Sequence, residues 1–173
     1  LGYDYVAAPA SAELLFLRHM PDKALKPYFN ILRTVVLTSR HEMDPDMMVE
    51  ASLKIDVHGN VEHTAAGGFG PVHALDRALR RALTRWYPEL EQMHLIDYKV
   101  RVLSPTRTNI PDAAEENGTG SNVRVLIESS DGVATWTTVG VSYNIIEASL
   151  EALADAVTYK LYKTEQARWR AEC

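Results

Sequence analysis

The sequence predicts an α+β fold made of two βββα units, an internal duplication in which helices pack on antiparallel sheets, after a short helical linker. Three observations predict it. Strand-like segments alternate apolar and polar residues with a period of two, as half-buried strands do. Helix-like segments repeat apolar residues at helical spacing. The order strand-strand-strand-helix occurs twice, as a pattern rather than as close sequence identity, and this order is typical of an α+β fold.

The first half is preceded by a short helix and ends in a longer one. Pro9 lies in the first turn of the short helix, where proline is tolerated. His58-Gly59-Asn60 is a tight-turn signal, so we expect the segments on either side of it to pair as a hairpin. Pro88 is expected to end the longer helix. The predicted elements are a helix at residues 9–17, strands at residues 31–38, 49–57 and 61–66, and a helix at residues 72–86.

The second half repeats this order. Asn144, followed three positions later by Glu147, is similar to a capping box at a helix start. Residues 104–121 form a polar connection that is long for a hairpin loop. Such a loop is either disordered or a functional lid, and we predict disorder. The predicted elements are strands at residues 95–103, 122–129 and 134–141 and a helix at residues 144–161.

The composition is that of a soluble globular protein. Apolar residues make up 46% of the 173 residues and charged residues 24%. The net charge of −5 argues against nucleic acid or an anionic membrane as the main partner. No apolar run approaches the ~18 residues of a membrane-spanning helix, and no signal peptide is visible. Cys173 is the single cysteine, which excludes a disulfide framework and indicates a reducing, cytoplasmic context.

No constellation of residues in the sequence points to catalysis or to a metal site. None of the six histidines has metal-ligand spacing such as H-x-H or H-E-x-x-H. No serine lies in a G-x-S-x-G nucleophile elbow. The glycine turn around Gly68 lacks the lysine of a phosphate-binding loop. We therefore predict no catalytic residue, no metal and no cofactor in this chain.

A glycine-rich turn, GGFGP, directly precedes the helix of the first half. The free N–H groups of a helix N-terminus carry partial positive charge and can hold a carboxylate. Gly68 and Gly70 have no Cβ, so a ligand would be able to approach the backbone closely there. The alternative is a plain helix cap, since Gly-Pro also suits a helix start. The residues alone leave both interpretations open.

A second candidate is the strand start Leu95-Ile96-Asp97-Tyr98. Tyr98 lies on the same predicted strand face as two valines, and a tyrosine in that position is usually part of the core. The other interpretation is that Tyr98 walls an apolar pocket with its hydroxyl at the rim.

At these residues the sequence resembles the C-terminal regulatory domain shared by 2-isopropylmalate synthases and citramalate synthases, and it looks closer to the citramalate synthase branch. The glycine motif GFGPVHALDRALR and the strand LIDYKVRVL carry the first part of the resemblance. The motifs RVLIE, WTTVGVS and NIIEASLEAL follow in order, and the five are spread through residues 61–161. The N-terminal lead looks like the linker that precedes this domain.

The resemblance implies a domain that senses an amino acid without being an enzyme. It implies a helical linker at residues 1–27, a regulatory domain at residues 28–173, a homodimer, and a branched-chain amino acid effector, isoleucine or leucine, in feedback inhibition. The implied catalytic barrel, which condenses acetyl-CoA with a 2-oxo acid and uses a divalent metal, is missing from this sequence. The chain begins at Leu1 without methionine, so we expect a fragment of a longer protein. A ligand-free structural dimerisation module is the alternative.

The resemblance also implies which residues contact the effector. An amino acid needs an anion site, an acceptor for its ammonium group and an apolar slot. The helix N-terminus would supply the first and Asp97 or backbone carbonyls the second. The expected effector-binding residues are Gly68, Gly70, Val72, His73, Leu95, Asp97, Tyr98, Val102, Ser142 and Asn144.

The expected homodimer needs an apolar surface. We expect a sheet face that includes Val123, Val125 and Ile127 to be left partly uncovered by the helices.

Overall fold

The computed structural model describes residues 2–20, 25–41, 44–103 and 121–172 and confirms the predicted α+β fold with its repeated βββα order. The predicted loop at residues 104–121 lies outside the described residues except for Ser121. The elements are α1 (Pro9–Arg18), β1 (Asn30–His41), β2 (Asp44–Val57), β3 (Asn60–Gly68), α2 (Pro71–Leu83), a short 3₁₀ helix (Pro88–Gln92), β4 (His94–Val102), β5 (Val123–Ser130), β6 (Thr135–Ser142) and α3 (Ile145–Glu172).

The strands form two separate antiparallel sheets in two compact units. One sheet has the order β1-β2-β3 and the other the order β4-β5-β6. The first sheet belongs to a unit of residues 20–93 and 157–173, here called the β1–β3 unit. The second belongs to a unit of residues 1–19 and 94–156, here called the β4–β6 unit. The helix α3 contributes residues to both.

In the β1–β3 unit, α2 covers one face of the sheet. The odd-numbered residues of β2 from Ala51 to Val57 are fully buried on that face. Alanines at four-residue spacing, among them Ala74 and Ala78, turn a narrow face of α2 to the sheet and are fully buried. The Thr64 hydroxyl donates a hydrogen bond of 2.9 Å to the Ala78 carbonyl. Small residues on the helix therefore let α2 lie close to the strands.

The β4–β6 unit repeats this contact. The Thr138 hydroxyl donates to the Ala152 carbonyl over 2.8 Å, at the same offset along the chain as the corresponding pair in the first half. A Cβ added to Gly140 would lie 2.0 Å from the Ala148 carbonyl oxygen, so glycine is required where β6 passes beneath α3. The duplication predicted from pattern extends to individual hydrogen bonds.

The predicted end of the α2 helix at Pro88 is wrong. The helix ends at Leu83, and Pro88 instead begins the short 3₁₀ helix. Thr84 follows the last helical residue, and its hydroxyl donates to the Arg80 carbonyl. Such local hydroxyl-to-carbonyl bonds weaken helix continuation, whereas proline suits a first helical position.

The N-terminal segment packs as part of the β4–β6 unit. Leu14 of α1 is fully buried. The Ser11 hydroxyl accepts a hydrogen bond from the Val139 N–H (3.0 Å) and donates one to Asp155 (2.9 Å). Glu151 accepts the N–H of Val141, two residues further along β6 (2.9 Å). These groups satisfy two N–H donors of the edge strand β6, which would otherwise be open to pairing.

Two further contacts fasten the residues before α1. Arg124 of β5 forms an ion pair with Asp4 at 2.6 Å. The Tyr3 hydroxyl donates to Glu151 over 2.7 Å, and burial together with this carboxylate raises the pKa of Tyr3 above its usual range. The domain boundary at residue 27 stays a prediction, but residues 2–19 are packed against this unit and do not hang free as a linker.

The prediction that the helices leave Val123, Val125 and Ile127 partly uncovered is wrong for two of these three residues. Val125 and Ile127 are fully buried. They pair with Gly140 and Thr138, which contact α3, so they lie on the face that the helix covers. Apolar side chains are exposed elsewhere, on the strands β1 and β4.

Candidate functional site

The N-terminus of α2 is the first candidate region, and it has no side-chain cap. Gly70 is the residue before the helix, with an extended backbone (φ −167°, ψ 171°), and Pro71 follows at the first helical position. The N–H groups of Val72 and His73 belong to the first turn, where a helix offers them no internal acceptor. No acidic residue lies in this first turn. The α2 N-terminus can therefore accept an anion.

The two glycines of the turn have different roles. A Cβ at Gly68 would lie 2.5 Å from the backbone nitrogen of Ala74, so this glycine is required for packing against its own helix. At Gly70 an added Cβ would meet nothing within 4 Å. Packing thus accounts for the glycine at position 68, whereas the space beside Gly70 is open. The expectation that a ligand approaches the backbone at these glycines stays a prediction.

Phe69 and His73 close one side of the turn. The Phe69 N–H donates to His73 Nδ1 over 3.2 Å, and the two rings stack with centroids 5.4 Å apart. Phe69 is 99% exposed. The His73 ring therefore accepts the N–H of Phe69, a residue of the turn itself. The N–H groups of the first helical turn stay available to a ligand.

In β4 the candidate ammonium acceptor already has a cationic partner. The Lys99 ammonium lies 2.5 Å from the Asp97 carboxylate, which also accepts the N–H of Tyr98 at 2.9 Å. The hydrogen bond from Lys99, with a smaller contribution from the Tyr98 N–H, lowers the pKa of Asp97. The carboxylate is charged at neutral pH, and a ligand ammonium group would have to displace Lys99 to reach it.

Tyr98 fastens β4 to the start of α3. Ser149 is fully buried and its hydroxyl donates to the Ile145 carbonyl over 2.6 Å. The Tyr98 hydroxyl lies 3.1 Å from the Ser149 oxygen and therefore acts as the donor in that pair. The hydroxyl is thus hydrogen-bonded to the helix, and the interpretation of Tyr98 as the wall of an apolar pocket stays a prediction.

The N-terminus of α3 is closed by its own side chains. Asn144 Oδ1 accepts the Ile146 N–H at 2.8 Å, which confirms Asn144 as the cap. The Glu147 carboxylate accepts a hydrogen bond from the Ser142 hydroxyl (2.6 Å) and does not complete a capping box with Asn144. The Ser142 oxygen in turn accepts the Asn144 N–H at 3.1 Å. Corresponding helices of the two halves thus differ, because α2 lacks such a cap.

The remaining candidate residues provide apolar surface. Val72 and Leu95 are half-buried, whereas Val102 is 61% exposed. Four of the ten candidate residues gather at the start of α2 in the β1–β3 unit, and the other six belong to the β4–β6 unit. Their role in binding an effector stays a prediction. The members in the β1–β3 unit are Gly68, Gly70, Val72 and His73, and those in the β4–β6 unit are Leu95, Asp97, Tyr98, Val102, Ser142 and Asn144.

The sequence did not reveal the carboxylates that hold the N-terminal segment. Glu151 and Asp155 are four residues apart and hence on one face of α3, beside the apolar stripe that faces the sheet. The Asp155 carboxylate accepts a hydrogen bond from the Ser11 hydroxyl and forms an ion pair with Arg18 at 2.6 Å. Their helical spacing was visible as a signal, but their partners are about 140 positions away and no short-range pattern connects them.

The part of the chain that the structure describes has neither a metal-binding cluster nor a membrane-spanning helix. Residues 2–20, 25–41, 44–103 and 121–172 contain no group of three or more His, Cys, Asp or Glu side chains placed to hold a metal ion. Among the helices of those same residues, none has the length and apolar character needed to cross a membrane.

Comparison with known proteins shows what this arrangement is similar to. A family model described as the LeuA allosteric (dimerisation) domain matches residues 7–161. The chain is 47% identical over 165 residues to an (R)-citramalate synthase of Aquifex aeolicus and 44% identical over 165 residues to one of Geobacter sulfurreducens. Each match covers 95% of this chain and 29% of the relative.

A 2-isopropylmalate synthase of Aquifex aeolicus is a more distant relative. It is 29% identical over 137 residues, which is 79% of this chain and 23% of the relative. The chain thus spans less than a third of the length of these synthases. The resemblance seen in the motifs is confirmed, including the greater similarity to citramalate synthases. The chain belongs to the family of the LeuA allosteric (dimerisation) domain.

Proposed function

We propose that this domain binds a branched-chain amino acid, isoleucine or leucine, and that binding inhibits the synthase to which the domain belongs. The effector's carboxylate binds at the N-terminus of α2. Feedback of this kind regulates branched-chain amino acid biosynthesis in the cytoplasm. The whole protein condenses acetyl-CoA with a 2-oxo acid, using a divalent metal held by a catalytic barrel outside this chain.

The observation that carries this proposal is the contrast between the two helix N-termini. Membership of an allosteric domain family supports an effector site. Of the two helices that follow the sheets, α2 has no side-chain cap and no acidic residue in its first turn. The α3 terminus is occupied by Asn144 and has Glu147 in its first turn. A carboxylate is attracted to the positive end of an open helix dipole and repelled by an acidic first turn.

We also propose that the domain functions as a homodimer. The family description includes dimerisation. Each unit exposes apolar side chains on the first strand of its sheet, an edge strand in both cases. Leu37 of β1 is 62% exposed, and Val100 and Val102 of β4 are 41% and 61% exposed. Edge strands with exposed apolar residues are typical of surfaces that pair with another chain.

The substitution Gly70→Asp tests the proposed anion site. Asp fits the extended backbone at Gly70, its Cβ meets no atom within 4 Å, and it is a favoured residue before a helix, so the variant should fold. Its carboxylate would occupy the N–H groups and repel a second anion. We expect isothermal titration calorimetry to show isoleucine or leucine binding to the parent protein, and affinity at least 100-fold weaker in the variant, a loss of about 3 kcal/mol.

Gly70→Asn is the matched control, because Asn has the same size and also caps helices but has no charge. We expect the affinity of Gly70→Asn for the amino acid to lie between that of the parent and that of Gly70→Asp. A folded Gly70→Asp variant that binds the amino acid as the parent does would show that the turn is a cap only.

A further inference from the structure

A row of three basic side chains crosses the outer face of the first sheet. Arg33 of β1 pairs with Lys54 of β2, and Lys54 pairs with His63 of β3. Residues paired directly across strands point to the same side of a sheet. The neighbours of Lys54 in sequence, Leu53 and Ile55, are buried on the opposite side. The row therefore lies on the face that α2 does not cover.

This arrangement is unfavourable in the absence of a counterion. Like charges directly opposite each other on neighbouring strands destabilise a sheet. Among the described residues, no carboxylate forms an ion pair with Arg33 or Lys54. Glu50 and Asp56 lie on the same face of β2, two positions to either side of the Ser52–Lys54 pair, and neither neutralises the row at ion-pair distance. Local conflicts of this kind are expected at functional sites.

The row borders a depression in the sheet surface. The adjacent cross-strand row consists of Val35 and Ser52, which are short, next to the long side chains of Arg33 and Lys54. Together with His63 these residues line a space of about 370 Å³. The Ser52 oxygen lies 2.9 Å from His63 Nε2, which holds the imidazole beside the hydroxyl. Guanidinium, ammonium, imidazole and hydroxyl groups thus border one opening.

We propose that this depression binds a phosphate or diphosphate group, at a site separate from the amino acid site. A guanidinium group matches phosphate oxygens in a bidentate fork, and an ammonium group adds a point charge. Arg33 and His63 are two strand spacings apart, about 10 Å, so a diphosphate can reach along the row where a single carboxylate cannot. The group is either free in solution or part of a nucleotide.

Thermal unfolding of the chain tests this proposal. Inorganic phosphate, pyrophosphate and ADP are added at about 10 mM, each against sodium chloride of the same ionic strength. We expect pyrophosphate to raise the Tm by about 3 °C over the chloride control. An ADP shift larger than the pyrophosphate shift would identify a nucleotide as the source of the group, and an equal shift would identify the free anion. No shift with any of the three overturns the proposal.

Two variants make the assignment specific to the row. Lys54→Gln and Arg33→Gln each remove one charge from it, and we expect each to raise the Tm without ligand and to abolish the response to pyrophosphate. Lys26→Gln removes the same charge from an exposed position outside the sheets and should leave the response unchanged. A pyrophosphate shift that persists in both row variants, or is lost equally in Lys26→Gln, places the anion elsewhere and contradicts the proposal.

Discussion

Gly140→Ala is expected to destabilise the domain by about 3 kcal/mol or to prevent its folding. The added Cβ would lie 2.0 Å from the Ala148 carbonyl oxygen and 3.1 Å from the Ala152 nitrogen. Both are backbone atoms of α3, so no side chain can rotate away and the helix has to move off the sheet. That movement would also break the hydrogen bond from Thr138 to α3. Urea denaturation followed by circular dichroism measures the change.

Gly67→Ala is the control for this prediction. It adds the same methyl group to the last strand of the other unit, where the nearest atom, the Val49 carbonyl oxygen, lies at an ordinary 3.7 Å. We expect its effect on the free energy of unfolding to be within about 0.5 kcal/mol. Equal stabilities for the two variants would show that α3 does not pack on β6 as closely as described.

Leu14→Ala is expected to lower the free energy of unfolding by about 3 kcal/mol. Leu14 is fully buried where α1 packs against the β4–β6 unit, so truncation leaves a cavity. The same segment is held by the contact of Ser11 with Asp155. A large effect would establish that residues before the first sheet are part of the folded domain, in contrast to a linker, whose residues contribute little to stability.

Phe16→Ala provides the comparison for Leu14→Ala. It removes a larger apolar side chain from the same helix, but Phe16 is 68% exposed. We expect a change within about 0.5 kcal/mol. If Leu14→Ala proves as mild as Phe16→Ala in the same denaturation experiment, α1 is detached in solution and the linker interpretation is correct.

The local patterns of the sequence were sufficient for the fold. The turn signal at His58-Gly59-Asn60 predicted that the flanking segments pair as a hairpin, and the structure confirms it, with Val57 paired to Asn60. The pairing of Arg33 with Lys54 was not predictable, because β1 contains register irregularities between Ile31 and Arg33 that alternation does not reveal. The basic row therefore becomes visible only when the three strands are aligned.

The candidate site was predictable only in part. A glycine turn before a helix indicates an open N-terminus, which Gly70 provides. The sequence could not distinguish Gly70 from Gly68, whose absent side chain makes room for Ala74. It also could not show that Asp97 is paired with Lys99, or that the Tyr98 hydroxyl is bound to Ser149. Such assignments depend on which side chains meet in the folded chain, and spacing along a single strand does not determine them.

The central claim, that this domain senses a branched-chain amino acid, is tested most directly by a thermal-shift screen of the chain against the twenty amino acids. Binding to the native state alone stabilises it by about 2.7 kcal/mol at a ligand concentration 100 times Kd. We predict that isoleucine or leucine raises the Tm by several degrees and that amino acids with charged side chains leave it unchanged. If none of the twenty raises the Tm, the domain is a structural dimerisation module and the sensor account is wrong.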